Sequence, residues 1–238
     1  MSEPLYRTQP YTRETVATVV ANTPEGGVVL DGSIFYPQGG GQPGDTGWLA
    51  WGGTEVAVAN TIKGEGDQVM LVVEDEAPMP DVGQQVTQRL DWELRYRHMR
   101  VHTGLHLLSV AIPLPVTGGA ITAAKGRLDF DMPEAPEDKQ ALEAALNALI
   151  ARDLPVSESW ITDAELAANP GLVKTMSVRP PVGAGRVRLI RIGEGAAQVD
   201  LQPCGGTHVA RTGEIGPVTL GKIEKKGARN RRVNMLIG

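Results

Sequence analysis

One cysteine and four histidines are all that 238 residues contain, and no stretch approaches the roughly 18 to 20 apolar residues that a membrane-spanning helix needs. A single cysteine, Cys204, excludes an intramolecular disulfide, leaving a buried small residue, a reactive thiol or a metal ligand. The N-terminal segment MSEPLYRTQPYTRE has no basic start followed by an apolar run, so nothing there reads as a targeting peptide. The expectation is a cytoplasmic protein with no membrane partner. Internal repeats and low-complexity tracts are also missing.

What is present fits a soluble globular chain. Hydrophobic residues make up 41% and charged residues 21%, while 29 glycines and 17 prolines imply many turns and short elements. The formal charge of −5 argues weakly against nucleic acid, but its distribution is uneven. Residues 171–238 carry twelve Lys and Arg against four Asp and Glu, which leaves −13 for residues 1–170. Within that basic third, Lys222, Lys225, Lys226, Arg229, Arg231 and Arg232 form the densest cluster. They suit phosphate contacts rather than base readout, and equally a solvated surface strand.

The first ninety residues read as all-β. Apolar runs at Val16–Val20, Gly27–Leu30, Glu55–Ala59 and Gln68–Val73 are separated by Gly, Pro, Asn and Asp, which suggests a small barrel. The segment Phe35-Tyr-Pro-Gln-Gly-Gly-Gly-Gln-Pro-Gly-Asp-Thr-Gly47 is glycine-dense, fit either for close backbone approach to a ligand or for a hairpin connection. It lacks the Lys-Ser/Thr of a phosphate loop. A long helix is expected from Asp91 to Ile112, stopped by Pro113, and the domain boundary is placed just before it: 1–90 and 91–238. A second helix is expected over Glu137 to Arg152, with Leu142, Leu146, Leu149 and Ile150 as its apolar stripe. A short third starts at Thr162, where Glu165 completes capping-box spacing. Strands are expected over Gly126–Asp131, Val187–Ile192 and Val218–Ile223, making this second part α+β.

The scarce metal-binding residues are clustered. His98, His102 and His106 lie on the expected first helix, and Cys204 with His208 forms Cys-x-x-x-His. Residues four apart share a helix face, so His102 and His106 can aim at one ion. Cys204 and His208 complete a tetrahedral set of three nitrogens and one sulfur, which suits one zinc ion per chain and disfavours magnesium or calcium. His98 is flanked by Arg95, Arg97 and Arg100 and is expected at an exposed, RNA-facing or solvated position. A metalloprotease helix carries a glutamate directly after its first histidine; here Thr103 stands there.

Taken together, His102-Thr-Gly-Leu-His-Leu-Leu108 and Cys204-Gly-Gly-Thr-His-Val209 resemble the paired zinc motifs of alanyl-tRNA synthetase editing domains and the freestanding AlaX proteins. The glycine-rich segment is similar to the one preceding those motifs in the same family. This resemblance covers nearly the whole chain and implies a small N-terminal β-barrel followed by a two-layer α/β zinc-containing editing domain, in a freestanding member of medium length. It implies a hydrolase that removes a wrong amino acid from tRNA(Ala). Ser-tRNA(Ala) is the substrate, Gly-tRNA(Ala) a second candidate, and Ala-tRNA(Ala) is spared. It also implies that His102, His106, Cys204 and His208 hold zinc, and that Gln42 and Thr122 contact the aminoacyl end. Asp200 lies near Cys204 and is a candidate for proton transfer or for a supporting carboxylate. Two alternatives stay open: a non-catalytic zinc-stabilised RNA-binding module, and hydrolysis of a small ester without tRNA.

Overall fold

The computed structural model describes residues 2–24, 26–66, 68–74, 76–176 and 185–238. The chain divides into two units, Met1–His98 and Met99–Gly238.

In the first unit, a short helix α1 (Leu5–Thr8) precedes six strands: β1 (Glu14–Asn22), β2 (Gly27–Leu30), β3 (Gly47–Trp51), β4 (Thr54–Lys63), β5 (Val69–Val73) and β6 (Gln85–Leu90). They close into an antiparallel barrel in the order β1-β2-β5-β4-β3-β6, so no edge is left unpaired. Alternation fills its interior: Ala17 and Val19 of β1 are buried while Val16 and Val20 point outward. The expected barrel is therefore present. Its strands β3 and β6 were not among the expected runs: Gln85-Val-Thr-Gln-Arg-Leu90 is mostly polar, and Gly47-Trp-Leu-Ala-Trp51 begins at the end of the glycine-rich segment.

The glycine-rich segment crosses between β2 and β3. Gly39 and Gln42 exchange backbone hydrogen bonds, and Gly40 and Gly41 between them have φ of 56° and 82°. Positive φ at both central residues is what a tight two-residue reversal of this hand demands. Asp45, later in the segment, is 2% exposed and accepts from the Arg95 guanidinium, Nε lying 2.8 and 2.9 Å from its two oxygens. Arg95 also donates to the carbonyls of Ile34 and Pro10. Burying this charge is tolerable because both partners are satisfied.

Helix α2 (Trp92–Ala111) starts at Asp91, whose carboxylate accepts from the Leu94 N–H, and ends before Pro113. The boundary between the two units falls inside it. Every residue from Val101 to Ser109 is buried, which explains why this helix lacks a clear apolar stripe. His98 corrects the expectation of an exposed position: it is 3% exposed, on a stretch of helix enclosed despite its basic neighbours.

The second unit holds two sheets. One has the order β12-β13-β8-β7, built from β7 (Val116–Ile121), β8 (Lys125–Asp131), β12 (Val218–Lys225) and β13 (Asn230–Ile237). The other has the order β11-β10-β9, from β9 (Val156–Thr162), β10 (Arg186–Ile192) and β11 (Asp200–Pro203). Helix α3 (Lys139–Ala151) is capped by Asp138 and locked to β12, Asn147 both donating to and accepting from the Val218 backbone. Helix α4 (Asp163–Ala168) begins with the expected Thr162–Glu165 capping box. Glycines let α2 approach the four-stranded sheet closely: a Cβ on Gly126 would sit 2.6 Å from Val101 Cγ1, and one on Gly104 2.6 Å from Met235 Cε. Among the described residues no helix is long and apolar enough to cross a membrane.

Candidate metal centre

Two elements supply the centre. Helix α2 presents His102 and His106 one turn apart, and the loop leaving β11 presents Cys204 and His208. One ligand atom from each of these four residues lies within 4.8 Å of every other. Cys204 Sγ is 3.4 Å from His102 Nε2 and 3.3 Å from His208 Nε2. The His102 and His208 ring centres are 4.4 Å apart, and those of His106 and His208 4.7 Å. The three histidines are buried. Such convergence of four potential donors is what a single metal ion requires.

The surroundings fix which ring nitrogens face inward. His106 Nδ1 lies 2.9 Å from Asp200 Oδ2 and donates to it, which leaves Nε2 as the nitrogen for a metal. The Thr103 hydroxyl donates to the Met99 carbonyl at 2.9 Å, which leaves its oxygen to accept from Val209 N–H at 3.2 Å and from His208 Nδ1 at 3.2 Å. His208 is thereby held in the same tautomer. Asp200 is in turn held by Lys174 Nζ at 2.5 Å and Gln202 Nε2 at 2.8 Å. Arg188 of β10 steadies the loop, donating to the carbonyls of Cys204 at 3.2 Å and Gly206 at 2.8 Å while pairing with Glu158.

Protonation follows from these contacts. Burial opposes the Cys204 thiolate, but His102 and His208 beside it hold the thiol well below its ordinary value. Burial pushes His208 down to about 3. For His106, burial is outweighed by the hydrogen bond to Asp200 and by Cys204, and the group is raised to about 9. Asp200 stays well below the usual carboxylate range: burial is outweighed by His106 and Lys174. The Cys204 thiolate and the Asp200 carboxylate, the latter also paired with Lys174, favour positive charge at His106 or on a metal ion bound there.

The other expected site residues lie on other elements. Gln42 is buried in the first unit, its backbone closing the Gly39–Gln42 reversal. Thr122 is exposed at the β7–β8 connection, its hydroxyl donating to the Lys125 carbonyl at 3.0 Å. The basic cluster lies on β12, β13 and their connection, and much of it is already engaged. Lys226 pairs with Glu224, Arg229 with Asp131 and Arg232 with Asp129, while Arg231 donates to the carbonyls of Gly227, Asn230 and Pro133. Lys222 and Lys225 are exposed. Thr103, Lys174, Gln202 and Arg188 were not foreseen as supports of the centre. Proximity of Thr103 to both histidines in sequence was the only available signal.

Fold and site define a two-unit α/β protein, a closed antiparallel barrel followed by a unit with a His/Cys cluster that could hold a metal ion. Two family models match: "tRNA synthetases class II (A)" over residues 8–94, and "Threonyl and Alanyl tRNA synthetase second additional domain" over residues 187–234. The chain is 35% identical to the alanyl-tRNA editing protein AlaX-M of Methanosarcina acetivorans, covering 98% of each chain. It is 33% identical to AlaX-L of Pyrococcus horikoshii, over 100% of this chain and 58% of that one. It is 34% identical to the alanine–tRNA ligase of Caldivirga maquilingensis, over 83% of this chain and 22% of the ligase. The chain belongs to the AlaX family of freestanding alanyl-tRNA editing proteins.

Proposed function

We propose that this protein is a zinc-dependent trans-editing hydrolase that deacylates Ser-tRNA(Ala), with Gly-tRNA(Ala) as a second substrate, and spares Ala-tRNA(Ala). The observation that carries the reading is the convergence of His102, His106, Cys204 and His208 within 4.8 Å, in a chain that matches an editing protein from end to end. A thiolate with three imidazoles fits zinc; His208 keeps an Nε2 lone pair available, and the extra proton held by His106 would be displaced by zinc. Zinc held there supplies Lewis acidity to an ester carbonyl or acidity to a water.

The chain's own residues divide the remaining work. Both Asp200 oxygens already accept hydrogen bonds, from Lys174 on one side and from His106 and Gln202 on the other. Asp200 therefore serves as an orienting carboxylate rather than the proton carrier. Thr122 donates to the Lys125 carbonyl and accepts from the Lys125 N–H, which leaves one lone pair to accept from a serine hydroxyl that alanine lacks. Gln42 is assigned to the aminoacyl end on the family's glycine-rich segment. Lys222, Lys225, Lys226, Arg229, Arg231 and Arg232 are assigned to tRNA phosphates, Lys222 and Lys225 first, since the remaining four are engaged within the protein. The reading includes a cytoplasmic setting, where a reducing environment keeps Cys204 a ligand.

The test is deacylation of Ser-tRNA(Ala), Gly-tRNA(Ala) and Ala-tRNA(Ala) by the purified protein, with metal content measured for wild type and Cys204→Ala. Loss of serine with alanine spared, and loss of both zinc and activity in the variant, is expected. A zinc-loaded protein that binds tRNA yet leaves all three esters intact overturns the hydrolase and favours a zinc-stabilised binding module.

A further inference from the structure

We propose that Trp160 is a stacking platform for the nucleobase of the terminal adenosine of an aminoacyl-tRNA. This deepens the editing reading above and rests on it. Trp160 lies in β9 and is 41% exposed, leaving its ring open to a ligand. Register places it directly opposite Arg188 of β10, and cross-strand partners in an antiparallel pair share a sheet face. The ion pair of Arg188 with Glu158, two residues from Trp160 on the same strand, confirms which face that is.

That face leads to the metal centre. Cys204 lies across β10 from Trp160, its backbone N–H donating to the Arg188 carbonyl at 3.2 Å. Arg188 itself grips the carbonyls of Cys204 and Gly206. Trp160, Arg188 and Cys204 therefore form one row across three neighbouring chain segments. At about 4.8 Å per strand spacing, Trp160 stands about 10 Å from Cys204, a span that a ribose and its base can bridge when the ester is at the metal. Gln202 and Asp200, which contact His106, occupy the same face further along.

A second observation fixes the chemistry of the ligand. Arg186, also exposed, is two residues before Arg188 and opposite Thr162, hence diagonal to Trp160 on this face. An exposed ring beside an exposed guanidinium, next to a site for an ester, matches a nucleotide: base on the indole, phosphate on the arginine. Sequence-independent stacking suits an adenosine common to every tRNA.

Two measurements on the full-length zinc-loaded protein test this. Steady-state deacylation of Ser-tRNA(Ala) by Trp160→Ala is expected to show KM raised about tenfold or more with kcat within about twofold, and Trp160→Phe is expected to recover most of the loss. Hydrolysis of serine methyl ester, which has no base, is expected to be unchanged by either variant. Titration with a non-hydrolysable seryl-amide of 3′-amino-3′-deoxyadenosine is expected to quench tryptophan emission in wild type and not in Trp160→Phe. An active wild type whose KM is unaffected by Trp160→Ala overturns the platform and leaves the editing reading intact. A wild type inactive on Ser-tRNA(Ala) overturns the editing reading, and the titration then judges the platform alone: no quenching, or quenching that persists in Trp160→Phe, rejects it.

Discussion

Thr103 Oγ1 and His208 Nδ1 lie 3.2 Å apart, joining the helix that carries two candidate metal ligands to the loop that carries the other two. One hydroxyl thus sets the tautomer of an imidazole 105 residues away. Replacing it with Thr103→Val keeps the shape but removes the acceptor, leaving His208 Nδ1 and Val209 N–H without it. Zinc affinity, measured by competition with a chromophoric chelator, is expected to fall about 10- to 100-fold. Thr103→Ser should retain most of it; equal losses in both variants would count against the hydrogen bond as the cause.

Removing the metal should abolish deacylation. After dialysis against a chelator, zinc is expected to restore activity and magnesium not, because the thiolate–imidazole set is too soft for a hard cation. Full activity in protein shown to be metal-free would make the metal irrelevant to catalysis.

Metal-free stability carries a pH signature. His208, depressed to about 3, and the depressed Cys204 each contribute stability present above their unfolded values and lost as pH falls. His106, raised to about 9, contributes stability fully present below its unfolded value of 6.5 and lost as pH rises through 9. Between pH 6.5 and 9 the gain at Cys204 and the loss at His106 oppose each other. Asp200 is constant throughout, since its unfolded value is 3.8. Chelator-treated protein is therefore expected to gain stability from pH 5 to 6.5 and stay level to about 9. Urea unfolding at pH 5.0, 6.5 and 8.5 checks this, and a continued steep rise to 8.5 would show that His106 does not hold the balancing proton.

Within the barrel unit, Asp45→Asn strips the buried Arg95 of its counter-charge. Stability is expected to drop by about 3–5 kcal/mol in denaturant titration, the usual cost of an uncompensated buried charge. A change under about 1 kcal/mol would mean that water reaches Arg95.

Gly44 offers a steric test of the same segment. A Cβ there would lie 2.1 Å from the Thr61 carbonyl oxygen, which is backbone and cannot swing aside. Gly44→Ala is expected to lower stability by about 1–3 kcal/mol, read as a fall in melting temperature. Gly40→Ala differs in kind, since its added Cβ meets nothing within 4 Å and the strain comes only from φ of 56°. A Gly44→Ala variant as stable as wild type would rule out the close approach.

Much was legible in the chain because its signals are local. His102 and His106 share a face through helical periodicity alone, Thr162 and Glu165 cap a helix three residues apart, and the apolar runs mark β1, β2, β4 and β5. Strand β13 was harder, because Arg231 and Arg232 mask the alternation of Val233 and Met235 and make a sheet-interior strand look like a basic tail.

The amino-acid sequence by itself determined which atoms could bind a metal, and the order of barrel and metal-bearing unit, since both follow from residue type and short-range period. Tertiary structure alone decided the rest. It brought Cys204 to His102, gave His106 to Asp200 and His208 to Thr103, buried His98 and Arg95, and paired Arg229 and Arg232 with Asp131 and Asp129. These contacts join residues far apart in the chain, and no local propensity encodes them; they exist because closing the sheets around a common core leaves each buried polar group only the partner that the register places beside it.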